Sequence, residues 1–197
     1  MIDETLPWLT FPPAVDLSNT IVVTSRGDID LLTTDAQLDV WIAAEHGRIA
    51  SVDAAAGHLE EVRALRADLR ALLYAYAQGR PLPGPPRRRV NALSAADPTY
   101  PVLTPDGGIT VKHDSRDAYT IFAAEVARSA IELFASDDTR LSMCTAPSCG
   151  LLYPPDHPRQ RWCCRACGNR ARVARHSARR RSSRTPTHAP RGIDHSR

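Results

Sequence analysis

A mainly α chain of the α+β kind is predicted: a helical N-terminal domain with one small β-hairpin, then a compact cysteine-rich finger ending in a basic helix. Three observations carry this reading. Leu59, Val62, Leu65, Leu69, Leu72 and Leu73 recur at the three-to-four spacing of one buried helix face. Two alternating segments, Tyr100 to Thr104 and Ile109 to His113, flank Pro105-Asp106-Gly107-Gly108, whose turn chemistry closes a hairpin. All five cysteines lie between Cys144 and Cys167, directly ahead of an arginine-dense stretch.

Taken in order, Leu6 to Pro13 is apolar and broken by proline, an entry strap rather than a helix. Val15 to Thr20 leads into Ile21-Val22-Val23, a β-branched run that reads either as a strand or as the start of a helix. Thr34 or Asp35 caps a helix in which Leu38, Trp41 and Ile42 follow at helical spacing until Gly47. The long periodic segment spans Ser51 to Gln78 and is stopped by Gly79 and Pro81. Its other side is expected to be solvated, through Glu60, Arg63, Arg66, Asp68 and Arg70. Pro81 to Pro86 is a link, and Arg87 to Ala96 a short helix. After the hairpin, Arg116 to Ala135 forms a second long helix, with Ile121, Phe122, Val126, Ile131, Leu133 and Phe134 available for burial, and Asp137-Asp138 ends it. The domains expected are therefore a body over 1–140, a finger over 141–182 and a disordered basic tail over 183–197.

Charge divides the chain at the same place. From Arg159 onward there are twelve arginines and one acid, whereas residues 1–158 hold 13 basic and 21 acidic residues. An acidic body joined to a basic end suggests a polyanion partner for that end. No run approaches the roughly 20 apolar residues of a membrane span, and Met1 to Pro13 lacks the makeup of a signal peptide. A cytoplasmic location without membrane contact is expected, and there thiols stay reduced.

Reduced thiols in close pairs point to metal. Cys144 and Cys149 are separated by four residues, and after a 13-residue spacer comes Cys163-Cys164-Arg165-Ala166-Cys167. Each pair can turn two thiolates toward one Zn2+, and four thiolates close the coordination shell, so the site would be structural rather than catalytic. Cys163 with Cys167 and Cys164 with Cys167 are both workable chelates; spacing alone favours Cys164. His157 and His176 could replace a thiolate but read better as surface or phosphate-facing groups.

Asn169 to Arg181 reads as a helix opening just after the last ligand. Ala171, Ala174 and Ala178 form a small-residue face that can pack on the knuckles. Arg172, Arg175, His176 and Arg179 share another face, flanked by Arg170, Arg180 and Arg181. Such a stripe suits phosphate oxygens and guanine edges. Trp162 reads as the hydrophobic plug of the finger.

The stretch Arg161-Trp162-Cys163 to Cys167-Gly168-Asn169-Arg170 resembles the CGNR zinc finger, and Cys144 to Tyr153 is similar to that family's first knuckle. Val15-Asp16-Leu17-Ser18-Asn19-Thr20 and Asp30-Leu31-Leu32 resemble the ABATE domain that usually precedes it. In that family the Trp is followed directly by a ligand cysteine, and Ser is usual where Cys164 stands. The resemblance therefore implies Cys144, Cys149, Cys163 and Cys167 as ligands of one zinc, with Cys164 as the alternative to Cys163. It also implies a bacterial stress-induced transcription regulator.

The function expected is zinc-dependent DNA binding, with the body sensing a small-molecule effector or mediating assembly as a homodimer. An RNA- or ribosome-associated zinc protein is the alternative; only Tyr153 and Trp162 offer aromatic rings for base stacking there. A redox-responsive zinc sensor, using Cys163 or Cys164, is another. No enzyme is expected: no phosphate loop, nucleophile elbow or His-Glu-x-x-His motif is present, and His46, His58 and His113 are scattered. Asp16 and Asn19 read first as cap or turn residues and second as the lining of a small-molecule pocket.

Overall fold

The computed structural model describes residues 11–136 and 140–182. At its centre lies α1, Pro13–Asn19, which begins at a proline whose missing N–H costs nothing in a first turn. Ala14 to Asn19 are all buried, so this short helix is covered on every side, by α3 (Leu59–Ala77) and α5 (Ala118–Ala135) among others. A helix buried all round must satisfy its own polar side chains. Ser18 donates to the Ala14 carbonyl at 2.7 Å, and Thr20 to the Leu17 carbonyl at 2.7 Å.

The β-branched run is a strand. β1, Ile21–Thr24, pairs antiparallel with β2, Gly27–Asp30, setting Ile21 opposite Asp30. Gly27, at φ 117°, opens β2 directly after the Ser25-Arg26 turn. This hairpin, absent from the sequence reading, is pinned by α3. Arg66 forks onto both Asp30 carboxylate oxygens at 2.6 and 2.7 Å and reaches Thr20 Oγ1 at 3.0 Å. Arg70 donates to the Ser18 carbonyl at 2.6 Å, one of the orphan acceptors at the end of α1. Arg66 and Asp68 are thus buried, not solvated: Arg66 holds the hairpin, and Asp68 pairs with Arg89.

α2, Asp35–Glu45, is capped by Thr34, which accepts from the Gln37 N–H, and Trp41 packs edge-on against Phe122. The long helix starts at Leu59, eight residues later than its periodicity suggests. Before it, Val52–Ala55 is a 3-10 turn held at its start by Glu125, which accepts from the Ala50 and Ser51 N–H groups. Gly57 then takes a left-handed φ of 76°. α4, Gly84–Ala95, begins earlier than expected because Pro85 and Pro86 occupy its first turn. β3, Thr99–Leu103, and β4, Ile109–His113, form the expected hairpin, and α5 follows from the N-cap Asp117. The strap lies partly outside the described residues, and Asp137-Asp138 and the tail wholly so. No helix among the described residues is long and apolar enough to cross a membrane.

One buried ion cluster sits beside α1. Arg48 reaches Asp16 at 2.8 Å and Glu45 at 2.7 Å, both carboxylates being fully buried. Burial pushes Asp16 up to about 8 despite the Arg48 hydrogen bond, with Glu45 adding repulsion, and burial raises Glu45 as well. Asp16 therefore holds a proton in the folded chain at pH values where the unfolded chain, near its usual 3.8, has released it. Folding takes up protons, so stability falls as pH rises toward about 8. Denaturant titrations between about pH 6 and 8 at saturating zinc are expected to lose up to about 1.4 kcal/mol per pH unit. Asp16→Asn should reduce that slope; an unchanged slope would remove Asp16 from the account.

Candidate metal centre

The first knuckle grows out of a minimal ladder. β5, Ser142–Met143, pairs with β6, Leu152–Tyr153, and at its end the Cys144 N–H bonds the Leu151 carbonyl at 2.8 Å. The chain between reverses sharply, with Ser148 at φ 56° and Gly150 at φ 71°. Of the second pair, Cys163 lies just ahead of α6, Arg165–Ser182, and Cys167 stands in the first turn of that helix. This corrects the expectation that the helix opens after the last ligand. The ligand is part of the helix, so a bound metal would hold the helix by its first turn.

The ligand atoms of Cys144, Cys149, Cys163 and Cys167 all lie within 4.8 Å of one another. Cys149 and Cys163 Sγ are 3.8 Å apart, and Cys163 and Cys167 Sγ 3.5 Å. A tetrahedral ion with Zn–S bonds of about 2.3 Å needs edges of about 3.8 Å, so the cage has the dimensions of zinc. Cys144 and Cys167 are buried and Cys149 and Cys163 half-buried, while Cys164 is exposed. The two chelates that spacing leaves open are thereby separated: Cys163 joins the four-thiol cage, and Cys164 is exposed and stands outside it.

The donors are also chemically poised. Hydrogen bonding from Cys163 draws Cys149 down to about 5, whereas burial, with repulsion from Cys149 and Cys144, pushes Cys167 up to about 12 against the Cys163 hydrogen bond. Four thiolates cannot share this space unless a cation shares them, which is what zinc supplies. The Cys163 N–H points at Cys144 Sγ at 3.4 Å and Arg170 at Cys167 Sγ at 3.1 Å, so donors already face the sulfur atoms. Four thiolates would fill the tetrahedral shell of a bound zinc and leave no ligand position for water or substrate.

Around the cage runs a small second core of Cys144, Ala146, Tyr153, Cys167 and Ala171, with Trp162 against it. A Cβ at Gly168 would meet the Trp162 ring at 3.1 Å, which is why glycine follows the last ligand. Gln160 ties the intervening loop together, accepting from Asp156 N–H at 2.7 Å and donating to the Trp162 carbonyl at 3.1 Å.

Asn19 proves to be neither a cap nor a pocket residue. Its side-chain amide donates to the Leu152 carbonyl at 2.9 Å and accepts from the Leu152 N–H at 3.0 Å, pairing with β6 as a neighbouring strand would. Tyr74 Oη donates to the Gly150 carbonyl at 2.6 Å, and Val23 lies so close to Gly150 that a Cβ there would approach it to 2.9 Å. Leu141 and Leu152 sit in the body's own core. Finger and body therefore share packing.

Beyond Cys167, α6 buries Gly168 against Trp162 and Ala171 against the second core, with Ala174 partly covered. The helix has eighteen residues, and Arg165, Arg170, Arg172, Arg175, His176, Arg179, Arg180 and Arg181 are all exposed on it without one acid. Arg165, ahead of the motif, is missed when the helix is started at Asn169. Arg172 is steadied by Asn169 Oδ1 at 2.8 Å. Of the scattered histidines, His58 stacks on Tyr119 at 4.3 Å and His113 bonds Asp97 at 2.6 Å; His46 stays exposed near Asp53.

A helical body with small antiparallel hairpins, carrying a four-cysteine cage that ends in a basic helix, defines a zinc-finger protein. The chain belongs to the ABATE family, described as "Putative stress-induced transcription regulator", whose model matches residues 12–137. The CGNR zinc finger model matches residues 140–180, in that order along the chain. Neither match is to an enzyme family. A comparison with curated proteins returns no match.

Proposed function

We propose that this protein is a zinc-dependent, DNA-binding transcriptional regulator in which the zinc cage fixes α6 and α6 meets the DNA. One observation carries the reading: an eighteen-residue helix with no acid, anchored at its first turn by a metal ligand and exposing arginine along its length. Such a helix is about 27 Å long and about 10 Å wide, the dimensions a major groove admits. Arg172, Arg175, His176, Arg179, Arg180 and Arg181 supply the contacts, and Arg170 contributes from beside the cage. The acidic body is the platform that holds the finger, through Asn19 and Tyr74. The family description of a transcription regulator supports the same reading.

Neutralising six to eight phosphates gives log K against log[salt] a slope of roughly −5 to −7. Fluorescence anisotropy on a duplex pool across a salt series is expected to show it, and Arg172→Ala with Arg179→Ala should flatten it by about two. A salt-independent affinity, or one unchanged by both substitutions, would sink the proposal. Preferential displacement of the duplex by structured RNA would move the function to RNA.

A further inference from the structure

We propose that the β3–β4 hairpin is a dimerisation device, in which β4 pairs antiparallel with β4 of a second copy of this chain. This inference does not rest on DNA binding. The ribbon is unusually apolar for something so exposed. Leu103 is 77% exposed, Ile109 73% and Val111 57%, and the register sets Leu103 across from Ile109 and Pro101 across from Val111. Pleating places all four on one face, so they form a continuous apolar patch. Every residue of β4 is exposed.

The two edges of the ribbon differ. The Asp114 N–H bonds the Pro98 carbonyl at 3.0 Å, and the Thr104 N–H the Gly108 carbonyl at 2.9 Å. Alternation along the ladder then turns the backbone groups of Pro101, opposite Val111, away from the hairpin. On the β3 side that outward position lacks an N–H, so this edge is blocked. On the β4 side the outward groups belong to Ile109, Val111 and His113, all of them exposed residues.

That free edge is complementary to itself. With a two-fold axis through Val111, Val111 pairs with its own copy and Ile109 with His113, so each outward N–H and C=O meets a partner. Lys112 then faces Thr110 of the second copy. Centring the axis on Lys112 would set two lysines face to face, and centring it on Thr110 would lose a pair of hydrogen-bonded positions. The resulting sheet, β3-β4-β4-β3, ends at a Pro101 on both sides, so association stops at two copies. The contact is small, for strands of this length bury less than the roughly 800 Å² per partner of a stable interface. Dissociation constants of about 10–100 μM follow for the free protein.

Sedimentation velocity on the zinc-loaded full chain, from about 1 to 200 μM, tests this. The wild type is expected to pass from monomer to dimer. Val111→Pro, which blocks the β4 edge while sparing the internal ladder, should stay monomeric with unchanged circular dichroism. Thr110 is exposed, so its variants fold as the parent does. Thr110→Glu, facing Lys112 of the second copy, should tighten the dimer about three- to tenfold, and Thr110→Lys should loosen it by a similar factor. A monomer throughout, or a dimer indifferent to Val111 and to the charge at Thr110, overturns the proposal.

Discussion

Cys167→Ser is expected to abolish zinc binding and to unfold the finger, while Cys164→Ser leaves both intact. The argument is one of size. The second core holds five buried residues, Cys144, Ala146, Tyr153, Cys167 and Ala171, of which two are ligands. Without the metal that core supplies little burial against the ordering entropy of some forty residues, at about 1–2 kcal/mol each. A structural zinc contributes about 10–16 kcal/mol of apparent binding energy near neutral pH, and it is this energy that folds such segments. Removing one of four thiolates opens the cage and also removes the link that starts α6. Mass spectrometry under native conditions should read one zinc in the parent and in Cys164→Ser, and none in Cys167→Ser. Circular dichroism at 222 nm should lose the α6 contribution, and chelator should reproduce that loss. The body has its own core and should still melt cooperatively, at a lower temperature. Zinc retained by Cys167→Ser, or lost by Cys164→Ser, would contradict the ligand assignment. Thiolates are the ligands, so the affinity for zinc falls as pH falls.

The metal centre is legible in the sequence because thiolate chelation is local. Two ligands from one tight turn need only a few residues between them, and the five cysteines advertise two such turns. Spacing alone leans to Cys164, because two residues between ligands is the commoner knuckle, yet it is Cys163 that joins the cage. What separates them is placement: the Cys163 sulfur lies within the four-thiol group, whereas Cys164 is exposed and outside it. The start of α6 is misjudged for a related reason. A ligand cysteine looks like punctuation between loop and helix, yet nothing prevents it from occupying the first turn, and here Cys167 does so.

In the body, the elements that periodicity or turn chemistry marks are the ones sequence recovers: α2 with its Thr34 cap, the buried stripe of α3, the β3–β4 hairpin and α5. The departures come from tertiary partners. Arg66 and Asp68 fall on the polar side of the α3 pattern, but Asp30 and Arg89 meet them, and a paired charge tolerates burial that a lone one does not. The first turns of the Ser51–Gln78 segment are diverted into a 3-10 turn because Glu125, more than seventy residues away, accepts the backbone N–H groups there. Short strands such as β1, β2, β5 and β6 carry too few residues for alternation to register.

Asn19→Ala is expected to detach the finger from the body without releasing zinc. Asn19 is 2% exposed and Leu152 fully buried, so both Leu152 backbone groups rely on one side chain 133 residues away. Alanine leaves a buried N–H and a buried C=O unpaired, at about 1–3 kcal/mol for each group, and a small cavity besides. A loss of about 2–5 kcal/mol in overall stability follows, large against the 5–15 kcal/mol of a typical domain. Asn19→Asp separates geometry from charge. A carboxylate can still accept from the Leu152 N–H but faces the Leu152 carbonyl with a second acceptor, so only the protonated acid restores the pair. Such an aspartic acid has a raised pKa in the folded chain, and its variant should gain stability relative to the parent as pH falls, until the zinc ligands themselves protonate. Hydrogen exchange gives the local reading. The Leu152 amide should lose protection by about 30- to 1000-fold in Asn19→Ala, while native mass spectrometry still counts one zinc. Unchanged protection at Leu152 would mean that Tyr74 and the Leu152 side chain suffice to hold the two parts together. Loss of zinc in the same variant would mean that the cage itself depends on the body. The expected result, an intact finger on a loosened joint, ties the orientation of the arginine helix to one asparagine in α1.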